Sequence, residues 1–202
     1  MTINTDQLLE SILESLDRVD YIRPQDIPDI QLYMDQVTTF MDTHLASTRR
    51  YPEDKILTKT MINNYAKNNL IPPPEKKKYS REHMLLMIFI YYFKSFLSIT
   101  DIQALMSPLT EKYFQKEGGF NLESVYNEVF QMEKPQVERL KDSVRELYRT
   151  SKDTFQDAPE DDRDFLQQFS FICLLSFDVY LKKQMIERLI DKLPKPDPKK
   201  KK

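Results

Sequence analysis

LTKTMINNYAKNNLIPPPEKKKYSREHMLLMIFIYYFKSFLSITDIQALM, residues 57–106, is the stretch whose reading decides the fold. It opens with a short helix, expected from about Thr58 to Asn69. Thr58 can cap it, because a threonine hydroxyl accepts one of the first-turn amides that lack a carbonyl partner. At ~100° per residue, Met61, Ile62, Tyr65 and Asn69 share one side, and Thr60, Asn63, Asn64 and Lys67 share the other. The first side can pack and the second meets water or a ligand. Pro72-Pro73-Pro74 ends the helix, since proline lacks an amide proton and bars helical geometry in the residue before it. Glu75 to Tyr79 is a short basic loop. Ser80 can cap the next helix, whose run MLLMIFIYYFKSFL is apolar nearly all round and belongs in a core. Ser98 and Asp101 have the spacing of a capping box and open a third helix.

The rest of the chain extends this helical pattern. Residues 4–19 place Leu8, Leu9, Ile12, Leu13 and Leu16 on one face, and Arg23-Pro24 breaks that helix. A second helix is expected from about Pro28 to Ala46, with the stripe Ile30, Met34, Val37, Met41 and Leu45. Beyond residue 106, helical pieces are expected over 109–117, 122–133, 136–156 and 161–192. Gly118-Gly119, Pro135 and Asp157-Ala158-Pro159 mark the breaks. There are only two glycines, and no sustained alternation of apolar and polar residues, so extensive β-structure is not expected. The fold class expected is all-α: a helix-turn-helix-like module with a basic loop, followed by a C-terminal helical bundle. The expected division is an N-terminal helix and linker over 1–27, the module over 28–107, a C-terminal domain for dimerisation or sensing over 108–193, and a disordered basic tail over 194–202.

Two C-terminal features admit more than one reading. Val137, Leu140, Val144 and Leu147 follow three-four-three spacing, which any bundle helix shows and which also suits a short dimer seam. Phe165 to Leu181 is apolar on most faces and reads as the core of the C-terminal bundle. A ligand pocket or subunit interface is the alternative, because such a helix must be covered.

Composition excludes several functions. The single Cys173 allows no internal disulfide and fits a reducing compartment, so a cytoplasmic location is expected. The acidic N-terminus has no basic start before an apolar run, so no secretory signal is expected. The longest apolar run, Met84 to Phe93, is too short to span a bilayer. His44 and His83 have no cysteine or second histidine at ligand spacing, so no metal site is expected. There is no glycine-rich phosphate loop and no nucleophile motif, so neither an enzyme nor a cofactor is expected.

Charge is strongly segregated. Residues 1–48 carry a net −7, 49–81 a net +6, 82–193 a net −5 and 194–202 a net +4. A basic island in an acidic chain suggests a local contact with a polyanion. Asparagine can pair with adenine through two hydrogen bonds, and lysine can meet guanine or phosphate, so Thr60, Asn63, Asn64 and Lys67 have the chemistry of a DNA-reading face. Arg49, Arg50, Lys55 and Lys59 before or at the helix start, and Lys76, Lys77, Lys78 and Arg81 after it, could grip phosphates on either side of a groove, and Thr58 opens a helix N-terminus that itself favours DNA phosphate. Any solvated helix face can be polar, so the face alone leaves both readings open.

The stretch LTKTMINNYAKNNLIPP, residues 57–73, resembles the recognition-helix signature of MerR-type regulators, roughly V-S-x-x-T-L-R-Y-Y-E-x-x-G-L-I-x-P. Thr58 takes the serine place, Ile62 the leucine, Tyr65 the second tyrosine, and Leu70-Ile71 the Leu-Ile. YSREHM and LSITDIQALM resemble the segments that follow the wing in that family. Asn63 and Asn64 stand where the family has Arg-Tyr, Asn69 where it has glycine, and the wing is cut to about five residues. The whole chain also resembles an uncharacterised family of Gram-positive bacterial proteins. The resemblance implies a dimeric regulator that binds double-stranded DNA, with no membrane association and an unspecified effector. The alternative is a protein-interaction module on the same scaffold without DNA binding.

Overall fold

The computed structural model describes residues 5–16 and 22–193. The protein is predominantly helical, as its glycine-poor sequence implies. In chain order the helices are α1 (Thr5–Leu16), α2 (Met34–His44), α3 (Lys59–Lys67), α4 (Arg81–Phe93), α5 (Ile99–Tyr113), α6 (Leu122–Phe130), α7 (Glu133–Lys152) and α8 (Glu160–Ile190). Two short strands, β1 (Leu32–Tyr33) and β2 (Lys78–Tyr79), pair antiparallel, Leu32 opposite Tyr79 and Tyr33 opposite Lys78.

The chain divides into two compact units. One comprises Met1–Asp17 with Met132–Arg188, the other Arg18–Gln131 with Leu189–Lys202. The division therefore falls after Gln131, and α5 and α6 stay with α4 instead of joining a C-terminal domain that begins at 108. The expected basic tail over 194–202 lies outside the described residues.

In the second unit, every residue of α4 from His83 to Ile90 is buried. Val37, Met41 and Leu45 of the α2 stripe are buried, as are Ile62 and Tyr65 of α3 and Ile102 and Met106 of α5. Phe89 meets Tyr126 and Phe130 of α6 at ring distances of 5.4 and 5.3 Å. The Tyr126 hydroxyl donates to the Ile22 carbonyl at 2.6 Å, so its polar end is satisfied inside this core.

The caps follow the sequence. Thr58 accepts the Met61 amide at 3.2 Å, and Ser98 and Asp101 cap reciprocally at 3.1 and 3.3 Å. Ser80 opens α4 with His83 as its partner: the Ser80 amide donates to His83 Nδ1 at 3.0 Å. Asn69, with φ 54°, is the left-handed residue that ends α3. The Asn69 amide reaches the Ala66 carbonyl and the Leu70 amide the Tyr65 carbonyl, the double closure of a Schellman motif. Asn69 therefore lies beyond the helix and is exposed, and does not join the packing side with Ile62 and Tyr65.

Three expectations need correction. Helix α2 starts at Met34, not Pro28, because Tyr33 pairs with Lys78 and then caps the helix, its amide donating to Gln36 Oε1 at 2.8 Å. Ile30, outside the helix, is exposed. Helix α5 runs through Pro108 as one piece. The third correction concerns α8, which is not a buried core helix. Phe165, Phe169, Ile172, Phe177, Val179, Tyr180 and Leu181 are 52–68% exposed. Within its unit, α8 meets α1 and α7 on one side only: Phe171 and Leu175 pack against Leu9, Leu13, Val144 and Tyr148.

For two of the four residues of the α7 stripe, Leu140 and Val144, that cluster favours the bundle contact over the dimer seam. Val144 is buried, and Leu140 packs against the same group, while Val137 and Leu147 are half-buried. Leu140, Val144 and Tyr148 of α7 pack against α1 and α8 of their own chain.

Candidate nucleic-acid interface

The start of α2 is where the basic elements converge. The Lys59 ammonium at the first turn of α3 pairs with Asp35, the second residue of α2. From the other side, Lys78 of β2 places its ammonium 5.2 Å above the ring of Tyr33, the α2 N-cap. Helices α2 and α3 are in contact, and β2 contacts α2. The strand after the basic loop and the beginning of α3 thus flank the same helix end.

The loop between them is a hairpin tip. Glu75 bridges Lys78, whose amide reaches the Glu75 carbonyl at 2.8 Å. The two residues between, Lys76 and Lys77, have φ of 49° and 65°. Positive φ at both central positions is the signature of a type I′ turn, which favours Asn-Gly. Lysines held there cost about 1–2 kcal/mol each in backbone strain. Both side chains are exposed.

On α3, Thr60, Asn63, Asn64 and Lys67 are all exposed, so the polar side of the wheel faces out as a set. The Asn64 carbonyl accepts from Asn68 Nδ2 at 2.7 Å, while the Asn64 side chain lies in solvent. Thr58 is half-buried with its hydroxyl engaged in the cap.

The island of positive charge is not uniform. Arg49 pairs with Asp42, which holds the Asp42 carboxyl below its ordinary range through a side-chain hydrogen bond. Arg81 sits apart from the hairpin tip: its guanidinium donates to the Pro24 carbonyl at 2.8 Å and to Glu123 at 3.1 Å. Arg81 ties α4 to α6 and is half-buried, which takes it off the candidate surface. Among the described residues, no carboxylate pairs with Lys67, Lys76 or Lys77. Arg50, Lys55 and Lys78 likewise have no carboxylate partner among the described residues, so they and these three, with the exposed side of α3, remain to meet an anion. The Lys94 ammonium donates to the Ile56 carbonyl at 2.6 Å, and burial lowers its pKa.

Sequence reasoning missed Tyr33 and Asp35. Neither carries a motif; the pairing of Tyr33 with Lys78 and the ion pair of Asp35 with Lys59 are tertiary contacts that tie them to the basic elements.

Residues 22–129 match the domain of unknown function DUF1836, more than half of the 202-residue chain. The chain belongs to that family. No curated protein and no solved structure matches it. The family segment coincides closely with the larger part of one compact unit, Arg18–Gln131, and contains α3, the hairpin tip and the helix end they flank. Among the described residues, no group of three His, Cys, Asp or Glu is placed to hold a metal ion, and no helix is long and apolar enough to cross a membrane.

Proposed function

We propose that the family unit binds double-stranded DNA, with α3 as the reading helix of a MerR-like helix-turn-helix and the 75–78 hairpin as a shortened wing. The observation that carries this reading is the hairpin tip. Two lysines occupy backbone positions that suit Asn-Gly, and both project their charge into solvent. Strain of this kind points to a role for the side chains that cause it. The exposed set Thr60, Asn63, Asn64 and Lys67 supplies donors and acceptors for base edges, and Lys76, Lys77 and Lys78 supply charge for phosphates. Such a regulator would act in the cytoplasm, as a homodimer, without a cofactor or a catalytic step.

The test is a salt titration of duplex binding by fluorescence anisotropy. Each phosphate contact contributes ~0.9 to the slope of log affinity against log salt. Replacing Lys76 and Lys77 with Ala should flatten the slope by about 1.8, and adding Lys78→Ala should bring the loss to about 2.7. Unchanged slope and affinity would remove the wing from the interface. The second reading is a protein-interaction module without DNA binding, favoured by the exposed apolar side chains of α8. It predicts no retardation of any duplex at low salt.

A further inference from the structure

Helix α8 leaves an ordered apolar stripe uncovered. Phe165, Phe169, Ile172, Ser176 and Val179 follow one another at steps of four, three, four and three, the repeat of a helix-pairing seam. The four apolar members are 68%, 52%, 54% and 64% exposed, and Tyr180 beside them is 59% exposed. Ser176 does not spoil the stripe, because its hydroxyl already donates to the Ile172 carbonyl at 2.7 Å. Aromatic side chains each offer ~150–250 Å² for burial, so the stripe presents on the order of 500 Å². That lies near the top of the ~300–600 Å² typical of the largest apolar patch on a monomer. Pairing it with a copy of itself buries on the order of 1,000 Å², where specific interfaces begin.

The geometry points to α8 as a self-pairing helix, its Phe165–Val179 stripe closed antiparallel against the same stripe of a second copy of this chain. Charge decides both the occupant and the direction. The first turn carries Glu160, Asp161 and Asp162, with Asp164 just beyond, and the region after the stripe carries Lys182 and Lys183. An antiparallel pair centred on Ile172 sets Asp161 and Asp162 opposite Lys183 and Lys182 of the partner subunit. A parallel pair sets the acidic turns side by side and is repelled. Lys182 and Lys183 hold Asp178 and Glu187 along their own helix. Exposed pairs of that kind contribute little and can be exchanged for contacts across the seam. A lipid surface fits less well, because its helices carry a Lys- and Arg-rich polar face and this one opens with carboxylates. The pairing uses α8 and not the α7 stripe, whose Leu140 and Val144 pack within their own chain. It does not depend on DNA binding and is read without DNA.

Sedimentation equilibrium of the full chain should give twice the 24.2 kDa monomer mass. Ile172→Glu places a charge at the two-fold axis and should raise the dimer dissociation constant about a hundredfold or more. Ile172 is exposed in the single chain, so circular dichroism of this variant should match the parent. Direction is read in a Cys173→Ser background. Phe165→Cys and Val179→Cys should each fail to cross-link alone, since like positions lie ~21 Å apart along the antiparallel pair. The double variant should form a disulfide dimer. A monomer at every concentration, a dimer indifferent to Ile172→Glu, or cross-linking of the single variants would each overturn the proposal.

Discussion

Lys77 and His83 show how single residues tie local conformation to behaviour. At the hairpin tip the fold and the charge make opposite demands. Glycine adopts φ 65° without strain, so Lys77→Gly should raise stability by up to about 1 kcal/mol, measured as an upward shift in Tm. The same change should flatten the DNA salt slope by about 0.9. A loss of stability would mean that the lysine side chain supports the turn. His83 is 2% exposed, with its ring against Tyr79 and Phe114, and burial holds its pKa below the ordinary 6.5. Its Nδ1 accepts the Ser80 amide, which requires that nitrogen to be unprotonated. The unfolded chain takes up a proton near pH 6.5 while the native chain resists. Between the two pKa values the unfolded state binds more protons, so stability is lost as pH falls below 6.5, by at most ~1.4 kcal/mol per pH unit. Glu82 acts with the opposite sign, since burial raises its pKa above 4.5. His83→Gln keeps an acceptor for the Ser80 amide and should remove the loss between pH 6.5 and 5, measured by denaturant melts. An unaltered pH profile in that variant would show that another group titrates.

At the level of elements, what the sequence made legible was local. Thr58, Ser80 and Ser98 are caps because each hydroxyl meets an amide three residues away, a relation that spacing alone encodes. The burial of α4 was legible for a similar reason, since a helix without a polar face has nowhere else to go. The outward set on α3 was legible from the wheel, whereas Asn69 was misplaced because a left-handed residue leaves the helical period. Partnerships across long sequence separations were not legible. Helix α1 packs on α7 through Leu9, Leu13, Val144 and Tyr148, and Glu10 pairs with Arg145 at 3.3 Å. Spacing alone therefore could not choose between a dimer seam and a bundle contact for the α7 stripe, because its partner stands more than a hundred residues away. An error of another kind befell α8. Its composition is that of a core, but its unit provides only α1 and α7 to cover it. Strand β1 escaped because a two-residue strand has no period to detect.

Across the whole molecule, the family match and the two compact units point to separable tasks. The DUF1836 segment carries α3, the hairpin tip and the buried α4, all within one unit. The other unit has a small core of its own, built on Leu9, Leu13, Val144 and Tyr148, and bears the exposed stripe of α8. Leu13 and Leu86 are each buried to 1% or less, in different units. Replacing either with Ala should cost about 2–5 kcal/mol at its own site. If each core unfolds as its own cooperative unit, calorimetry of the full chain should show two transitions, with Leu13→Ala lowering one and Leu86→Ala the other. The functional consequence divides the same way. Leu13→Ala should loosen the unit that carries α8 and weaken self-association, while the salt slope of DNA binding at temperatures below both transitions stays as in the parent. A single transition that both substitutions lower equally would mean that the two cores fold as one, and the division of tasks would then have no thermodynamic basis.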